Sequence, residues 1–170
     1  VRLPGAMRPG RSRFTRASVP ILTVWSSGST GRVEGVPERL HDALFVYGTL
    51  MPGHLRWPML EPHAIDHGQA RVPGTLYDTG NGWPAAAFGL TPDERHVPGW
   101  VVWFSTGTLQ ILLPTLDEVE GIGPTPNAAL DPYVRIRVPI DSVTEAWAYH
   151  ATRRRSSWRV IDAWLDKPES

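Results

Sequence analysis

The chain contains no cysteine among its 170 residues. This absence excludes disulfides, thiolate catalysis and zinc sites with cysteine ligands, and it favours a cytoplasmic location. Long apolar runs are also missing, because Gly, Pro or Trp interrupts every stretch well before the roughly 20 residues that a membrane-spanning helix needs. We therefore expect a soluble protein with no membrane partner.

The formal net charge is zero, but this balance conceals two unlike parts of the chain. Residues 1–40 carry seven Arg against two Glu, a net charge of +5, and the remainder carries −5. The arginines stand among Gly, Pro and Ser, with too little hydrophobic periodicity for a core. We predict a disordered Arg-rich extension over residues 1–40 and one domain over residues 41–170. A nucleic-acid contact or a targeting role for the extension is the alternative, but basic tails usually stay solvated and we expect no nucleic-acid partner.

Short apolar segments set off by Gly, Pro, Asp or Asn predict an α+β domain in which strands predominate. The run over residues 43–47 stops at Gly48 and is typical of a buried strand that opens into a turn. After Gly48, Pro58 limits any helix to a turn or two. Further strands are predicted over residues 70–77, 83–88, 99–104, 134–138 and 143–150, the last two as an antiparallel pair.

Apolar residues recur at helical intervals between residues 109 and 119 and predict an amphipathic helix that stops at Gly121. Pro114 predicts a break in this helix or a fresh start. Ser157 is a candidate N-cap, and it predicts a short final helix that carries Trp158, Ile161 and Leu165 on one face.

The segment Tyr47-Gly48-Thr49-Leu50 is the first candidate for chemistry. Where a buried strand opens into a glycine turn, several backbone N–H groups are left unpaired, and such groups bind anions. They would suit a substrate carboxylate or a developing oxyanion, with Gly48 allowing close approach. The same hexapeptide pattern also describes an ordinary strand that ends at a turn.

Glu120 is the second candidate, at the end of the predicted helix. It lies next to the buried stripe, whereas Glu118 projects away from it. The helix dipole and partial burial both disfavour the ionised carboxylate there, and both raise the pKa toward the value that a general base needs near neutrality. Spacing alone favours the alternative, in which Asp117, Glu118 and Glu120 are all solvated surface charges.

A metal site is a weaker alternative. His63 and His67 have the i, i+4 spacing of helical metal ligands, with Asp66 between them, but His63 follows Pro62 and the sequence shows no third ligand.

Five segments in this order resemble the γ-glutamylcyclotransferase-like superfamily, in particular its small single-domain branch related to the plant AIG2 proteins. The resemblance runs from about Leu44 to Trp164. Its segments are Phe45-Val46-Tyr47-Gly48-Thr49-Leu50, Gly74-Thr75-Leu76-Tyr77-Asp78 with Trp83-Pro84-Ala85, Pro98-Gly99-Trp100-Val101-Val102, Leu116-Asp117-Glu118-Val119-Glu120-Gly121 and Tyr133-Val134-Arg135.

The resemblance implies a small mixed-sheet β-barrel flanked by short helices. It implies an enzyme that cleaves a γ-glutamyl amide into 5-oxoproline and a free amine, without a metal or another cofactor. Glu120 would be the catalytic acid/base, the loop of Tyr47, Gly48, Thr49 and Leu50 would surround the γ-glutamyl group, and Tyr133 would help to line the site. The leaving amine and the oligomeric state stay open. A noncatalytic protein that binds a small ligand in the same pocket is the alternative function.

Overall fold

The computed structural model describes residues 41–165, so the Arg-rich extension predicted over residues 1–40 lies outside the described residues. None of the helices within this range has the length and apolar content to cross a bilayer. In chain order, the described elements are β1 (His41–Val46), two 3-10 turns (Trp57–Met59 and Glu61–His63), β2 (Ala64–Asp78), β3 (Pro84–Phe88), β4 (His96–Ser105), α1 (Thr108–Val119), β5 (Tyr133–Pro139), β6 (Glu145–Ala151) and β7 (Arg159–Ile161).

The strands form one mixed sheet that curls into a barrel. Its order is β3-β2-β4-β1-β6-β5, and β7 pairs with the end of β2. The pair β1 and β6 runs parallel, with Leu44 opposite Trp147, and the other pairs are antiparallel. The sheet curves until β3 meets β6, where the backbone N–H of Phe88 donates a hydrogen bond to His150 Nδ1 at 3.1 Å. The fold is therefore a nearly closed mixed-sheet β-barrel with flanking helical elements, as the resemblance implied.

The core lies between the barrel wall and α1. Leu109, Leu113 and Leu116 recur at helical spacing and are buried, so one face of α1 packs against β1 and β4. Inside the barrel, the rings of Phe45 and Phe88 meet edge to face at 5.9 Å. This packing places the C-terminal end of α1 beside the loop that follows β1.

The predicted strands are confirmed, and the main difference is in the length of β2. This strand begins at Ala64, six residues before the predicted start at residue 70. Its first part is largely exposed and has no apolar alternation, so its sequence carries no strand pattern. Antiparallel pairing with β4 supplies the backbone hydrogen bonds that keep this part extended.

Two predictions about helices are wrong. The first is the break at Pro114, because α1 continues through this residue. Pro114 removes the N–H that would bind the carbonyl of Gln110, but both residues are exposed, so water can satisfy that carbonyl.

The second wrong prediction is the final helix after Ser157. Residues 159–161 form β7 instead, paired antiparallel with residues 76–78 of β2. The pairing between β2 and β4 ends at Pro73, so the end of β2 has open backbone groups that β7 satisfies. A short isolated helix would not be stabilised in this way, because the free-energy cost of nucleating it exceeds the stabilisation from its few hydrogen bonds.

Candidate active site

A cavity of about 730 Å³ opens where the end of β1, the end of α1 and the start of β5 meet. This volume falls in the range of about 300–1,000 Å³ that is typical of clefts for small organic ligands. Three chain segments supply much of its lining, over residues 45–50, 119–121 and 130–133. All the site residues predicted from the sequence line this one cavity: Tyr47, Gly48, Thr49, Leu50, Glu120 and Tyr133.

Glu120 is held in place by the way in which α1 ends. Gly121 adopts the left-handed conformation, with φ of 75°, and its N–H donates to the carbonyl of Glu118 at 3.1 Å. The N–H of Ile122 donates to the carbonyl of Asp117 at 2.8 Å, and the Ile122 side chain is buried. These two bonds are those of a Schellman motif, which favours Gly at the left-handed position. Because of this motif, Glu120 is the last residue before the chain turns away from the helix, and this turn forms part of the cavity wall.

The carboxyl group of Glu120 is largely desolvated, since 17% of its side chain is exposed. Burial raises its pKa from 4.5 to about 7, and the positive charge of Arg56 opposes this rise. The Arg56 Nη1 atom lies 4.0 Å from Glu120 Oε1. A carboxyl group with a pKa near 7 can both accept and return a proton at neutral pH. Glu118, by contrast, is exposed to solvent, as its helical position predicted.

The loop after β1 lines the cavity, and its backbone donors and acceptors are used differently. Its carbonyl groups are used locally: Gly48 O accepts from the N–H of Met51 at 3.0 Å, and Thr49 O accepts from the N–H of Arg56 at 2.8 Å. Within residues 41–165, the N–H groups of Thr49 and Leu50 take part in no hydrogen bond. Unpaired N–H groups on a cavity wall are suited to binding an anionic oxygen.

Three tyrosines support the cavity. The hydroxyl of Tyr47 donates to the carbonyl of Tyr149 at 2.6 Å, and that of Tyr133 donates to the carbonyl of Pro84 at 3.2 Å. Burial raises the pKa of both Tyr47 and Tyr133, so both hydroxyls stay protonated. Pro84 also packs against Gly48, where an added Cβ would lie 2.7 Å from Pro84 Cγ. Only glycine fits there without a shift of the loop.

Asp117 is a supporting residue that the sequence prediction missed. Its Oδ1 atom accepts a hydrogen bond from the hydroxyl of Tyr149 at 2.9 Å and lies 3.0 Å from Arg135 Nε. The contact joins the last turn of α1 to β6 and β5. These residues lie far apart in the sequence. The helical position of an acidic residue does not indicate which side chains it will contact, so no local pattern could have predicted this cluster. The same holds for Arg56, whose contact with Glu120 depends on the path of the loop.

The histidine pair does not have the geometry that its spacing indicated. His63 ends a 3-10 turn and His67 lies in β2, so the two are not on one helical face. The His67 ring packs against those of Trp57 and Trp100, with centroid distances of 5.2 and 5.4 Å. Across the described part of the chain, no group of three or more His, Asp or Glu residues is arranged to hold a metal ion.

Comparison with known proteins identifies relatives of this fold. No curated protein matches the sequence. A crystal structure of an AIG2-like protein from Mus musculus is similar, with a TM-score of 0.54 and 18% identity over 77% of this chain and 98% of that one. An uncharacterised protein from Pyrococcus horikoshii has a TM-score of 0.50 and 16% identity, covering 71% of this chain and 86% of that one. At these identities the two structures support the fold alone.

The family model described as gamma-glutamyl cyclotransferase, AIG2-like, matches residues 44–165. This range contains the loop after β1, Glu120 and Tyr133. The chain therefore belongs to the AIG2-like gamma-glutamyl cyclotransferase family.

Proposed function

We propose that this protein is a cyclotransferase that converts a γ-glutamyl amide into 5-oxoproline and a free amine. The observation that carries the proposal is the position of Glu120: a desolvated carboxyl group with a pKa of about 7, in a cavity that is also lined by the loop of Thr49 and Leu50 with its unpaired N–H groups. Membership of the family supports this reaction class.

The reaction is an intramolecular aminolysis. The α-amino nitrogen of the substrate attacks its own γ-carbonyl carbon, a C–N bond forms to close a five-membered ring, and the C–N bond to the leaving amine breaks. The nucleophile and the electrophile belong to one molecule, and well-oriented internal nucleophiles reach effective molarities of about 10⁵ M or more. The protein's task is therefore to select the cyclising conformer and to move protons.

Glu120 moves the proton in this proposal. In its ionised form it accepts a proton from the α-ammonium group and frees the nucleophilic lone pair. In its protonated form it delivers that proton to the departing nitrogen. The second proton that the attacking nitrogen loses on ring closure passes to solvent, so Glu120 is ionised again after each turnover. A pKa of about 7 suits both halves of this cycle.

The loop after β1 is the proposed anion cradle. The N–H groups of Thr49 and Leu50 would donate to the α-carboxylate of the substrate or to the oxyanion that develops on the γ-carbonyl oxygen. Gly48 allows close approach, and the rings of Tyr47 and Tyr133 would close the walls around the glutamyl methylenes. The hydroxyls of these two tyrosines already donate to backbone carbonyls, so we assign them to shaping the cavity rather than to proton transfer.

The test is incubation of the purified protein with a panel of γ-glutamyl amides, with 5-oxoproline measured by mass spectrometry. We expect Glu120→Gln, which is nearly isosteric, to lower turnover by roughly 10²- to 10⁴-fold while the protein still binds substrate. Glu118→Gln is the matched control, because it removes a carboxylate from the same helix end on its exposed side. This control should retain activity.

Equal activity in the Glu120→Gln variant would contradict the proposal. Binding of γ-glutamyl amides without release of 5-oxoproline from any of them would instead support the noncatalytic ligand-binding alternative.

A further inference from the structure

The segment over residues 152–158, which follows β6, contributes exposed residues to the lining of the cavity and is anchored at both ends. We call this exposed part of the wall the mouth. At its start, the N–H and the hydroxyl of Thr152 both donate to the carbonyl of Pro132, at 3.0 and 3.2 Å, and the hydroxyl also reaches the carbonyl of Asp131 at 2.7 Å. At its end, the Trp158 ring lies 6.0 Å from that of Tyr77. Thr152 and Trp158 both line the cavity, so the residues between them are held at its mouth.

Three consecutive arginines occupy this segment, and their side chains divide between two sides. Arg154 lies over the ring of Tyr77 at 5.2 Å. Arg153 and Arg155 line the cavity. This division matches the alternation of successive side chains in an extended chain. Stacking of Arg154 on Tyr77 therefore directs both of its neighbours toward the cavity mouth.

These two arginines bring positive charge to the mouth of the cavity. In the part of the chain that the structure describes, neither Arg153 nor Arg155 has an ion-pair partner. The acids that line the cavity are otherwise engaged: Glu120 faces Arg56, and the Asp131 carboxylate accepts the N–H groups of Gly123 and Asn127 at 3.4 and 2.7 Å. The mouth consequently offers two guanidinium groups to an incoming ligand.

The position of the arginines along the cavity decides which part of the ligand they meet. The groups assigned to the reaction are deep, since Tyr47, Leu50 and Tyr133 are buried, whereas Arg153 and Arg155 are exposed. In the proposed function the γ-glutamyl group lies against these buried groups, and its leaving amine would then extend toward the mouth. Guanidinium groups bind carboxylates through paired N–H donors.

We infer that Arg153 and Arg155 bind an acidic group on the leaving amine, so that the preferred substrates are γ-glutamyl amides whose amine carries a carboxylate. This inference rests on the proposed function, because it places the leaving amine relative to the reacting carbonyl. It makes the two arginines determinants of substrate specificity and gives them no part in proton transfer.

The test compares two nearly isosteric substrates, γ-glutamylglycine and γ-glutamylglycinamide, which differ by one negative charge on the leaving amine. For the natural chain we expect kcat/KM to be about tenfold higher for the carboxylate, through a lower KM, and the preference to shrink as salt is added. In the double variant Arg153→Gln with Arg155→Gln, the preference should fall to less than about twofold, because kcat/KM falls much more for the carboxylate than for the amide. Arg154→Gln is the matched control and should keep the preference, because Arg154 stacks on Tyr77 instead of lining the cavity.

Two results would overturn the inference while leaving the proposed function intact. One is release of 5-oxoproline from both substrates with equal kcat/KM. The other is an equal loss on both substrates in the double variant, which would show that the arginines hold the α-carboxylate of the glutamyl group. If neither these two compounds nor any other γ-glutamyl amide of the panel yields 5-oxoproline, the proposed function fails. Calorimetric binding of the same two compounds then decides the inference: tighter binding of the carboxylate that needs Arg153 and Arg155 supports it, and equal binding overturns it.

Discussion

The carboxylate of Asp117 accepts a hydrogen bond from the hydroxyl of Tyr149 at 2.9 Å, and this bond fastens the last turn of α1 to β6. Arg135 of β5 approaches the same oxygen at 3.0 Å. Burial and the bond to Asp117 raise the pKa of Tyr149, so its hydroxyl remains a donor at every ordinary pH. Glu120 lies three residues further along the chain, and its position therefore depends on this cluster.

Replacing Asp117 by Asn should loosen the end of α1. The amide oxygen can still accept from Tyr149, but the ion pair with Arg135 is lost, and we expect the free energy of unfolding to fall by about 1–3 kcal/mol. Turnover should fall as well, since Glu120 loses its fixed position. Urea denaturation and 5-oxoproline release measure the two effects. Glu118→Gln, an exposed change on the same turn, should stay within about 0.5 kcal/mol of the natural protein; a similar loss in both variants would argue against the cluster.

Replacing Arg56 by Gln should move the pH profile of the reaction. The positive charge of Arg56 holds the pKa of Glu120 down to about 7 against the effect of burial, so its removal raises that pKa further. Glu120 must be ionised to accept a proton, and we therefore expect the acidic limb of kcat/KM to shift to higher pH. Arg71→Gln removes an exposed arginine of β2 outside the cavity lining and should leave the limb in place. An unchanged limb in Arg56→Gln would show that this arginine does not act on the base.

Replacing Glu120 by Gln should stabilise the protein above neutral pH. The folded-state pKa of about 7 exceeds the value of 4.5 for a solvated carboxyl, so the folded protein binds more protons than the unfolded chain between these two pH values. The contribution of Glu120 to the free energy of unfolding is fully present below pH 4.5 and is lost as the pH rises through 7. At one pKa unit per 1.36 kcal/mol, the loss at pH 8 amounts to at most about 3 kcal/mol.

The difference in unfolding free energy between Glu120→Gln and the natural protein isolates this effect, because other titrating groups contribute equally to both. The difference should grow from pH 4.5 to pH 8 in urea denaturation at fixed ionic strength. Parallel stability curves would mean that the carboxyl group is not desolvated in the folded protein.

Replacing Gly48 by Ala should disturb the cavity wall. The added methyl group would lie 2.7 Å from Pro84 Cγ and 3.0 Å from Pro84 Cδ, and the rigid ring can yield only if the loop or β3 moves. We expect a loss of about 1–3 kcal/mol in unfolding free energy and a higher KM. Gly68→Ala is the matched control, since a Cβ there meets Trp103 only at an ordinary distance of 3.7 Å. Comparable effects of the two substitutions would contradict the steric argument.

The sequence predicted the strands correctly where the local pattern of apolar residues reflects which side chains are buried. The run over residues 43–47 and the alternation over residues 134–138 each report the environment of a strand directly, and both strands are present. The start of β2 and the final segment could not be predicted in this way. Their conformations depend on the strands that happen to lie beside them, β4 in the first case and β2 in the second.

The candidate site divides in the same way. The sequence by itself determined that a glycine turn follows a buried strand, and that Glu120 stands where an amphipathic helix stops at a left-handed glycine, because both features depend on neighbouring residues. Only the tertiary structure decided that these two features line one cavity and that burial outweighs Arg56 in setting the pKa of Glu120. It also decided that Asp117 joins three elements. The physical reason is that desolvation and charge pairing depend on atoms brought together from distant parts of the chain, which no local pattern in the sequence encodes.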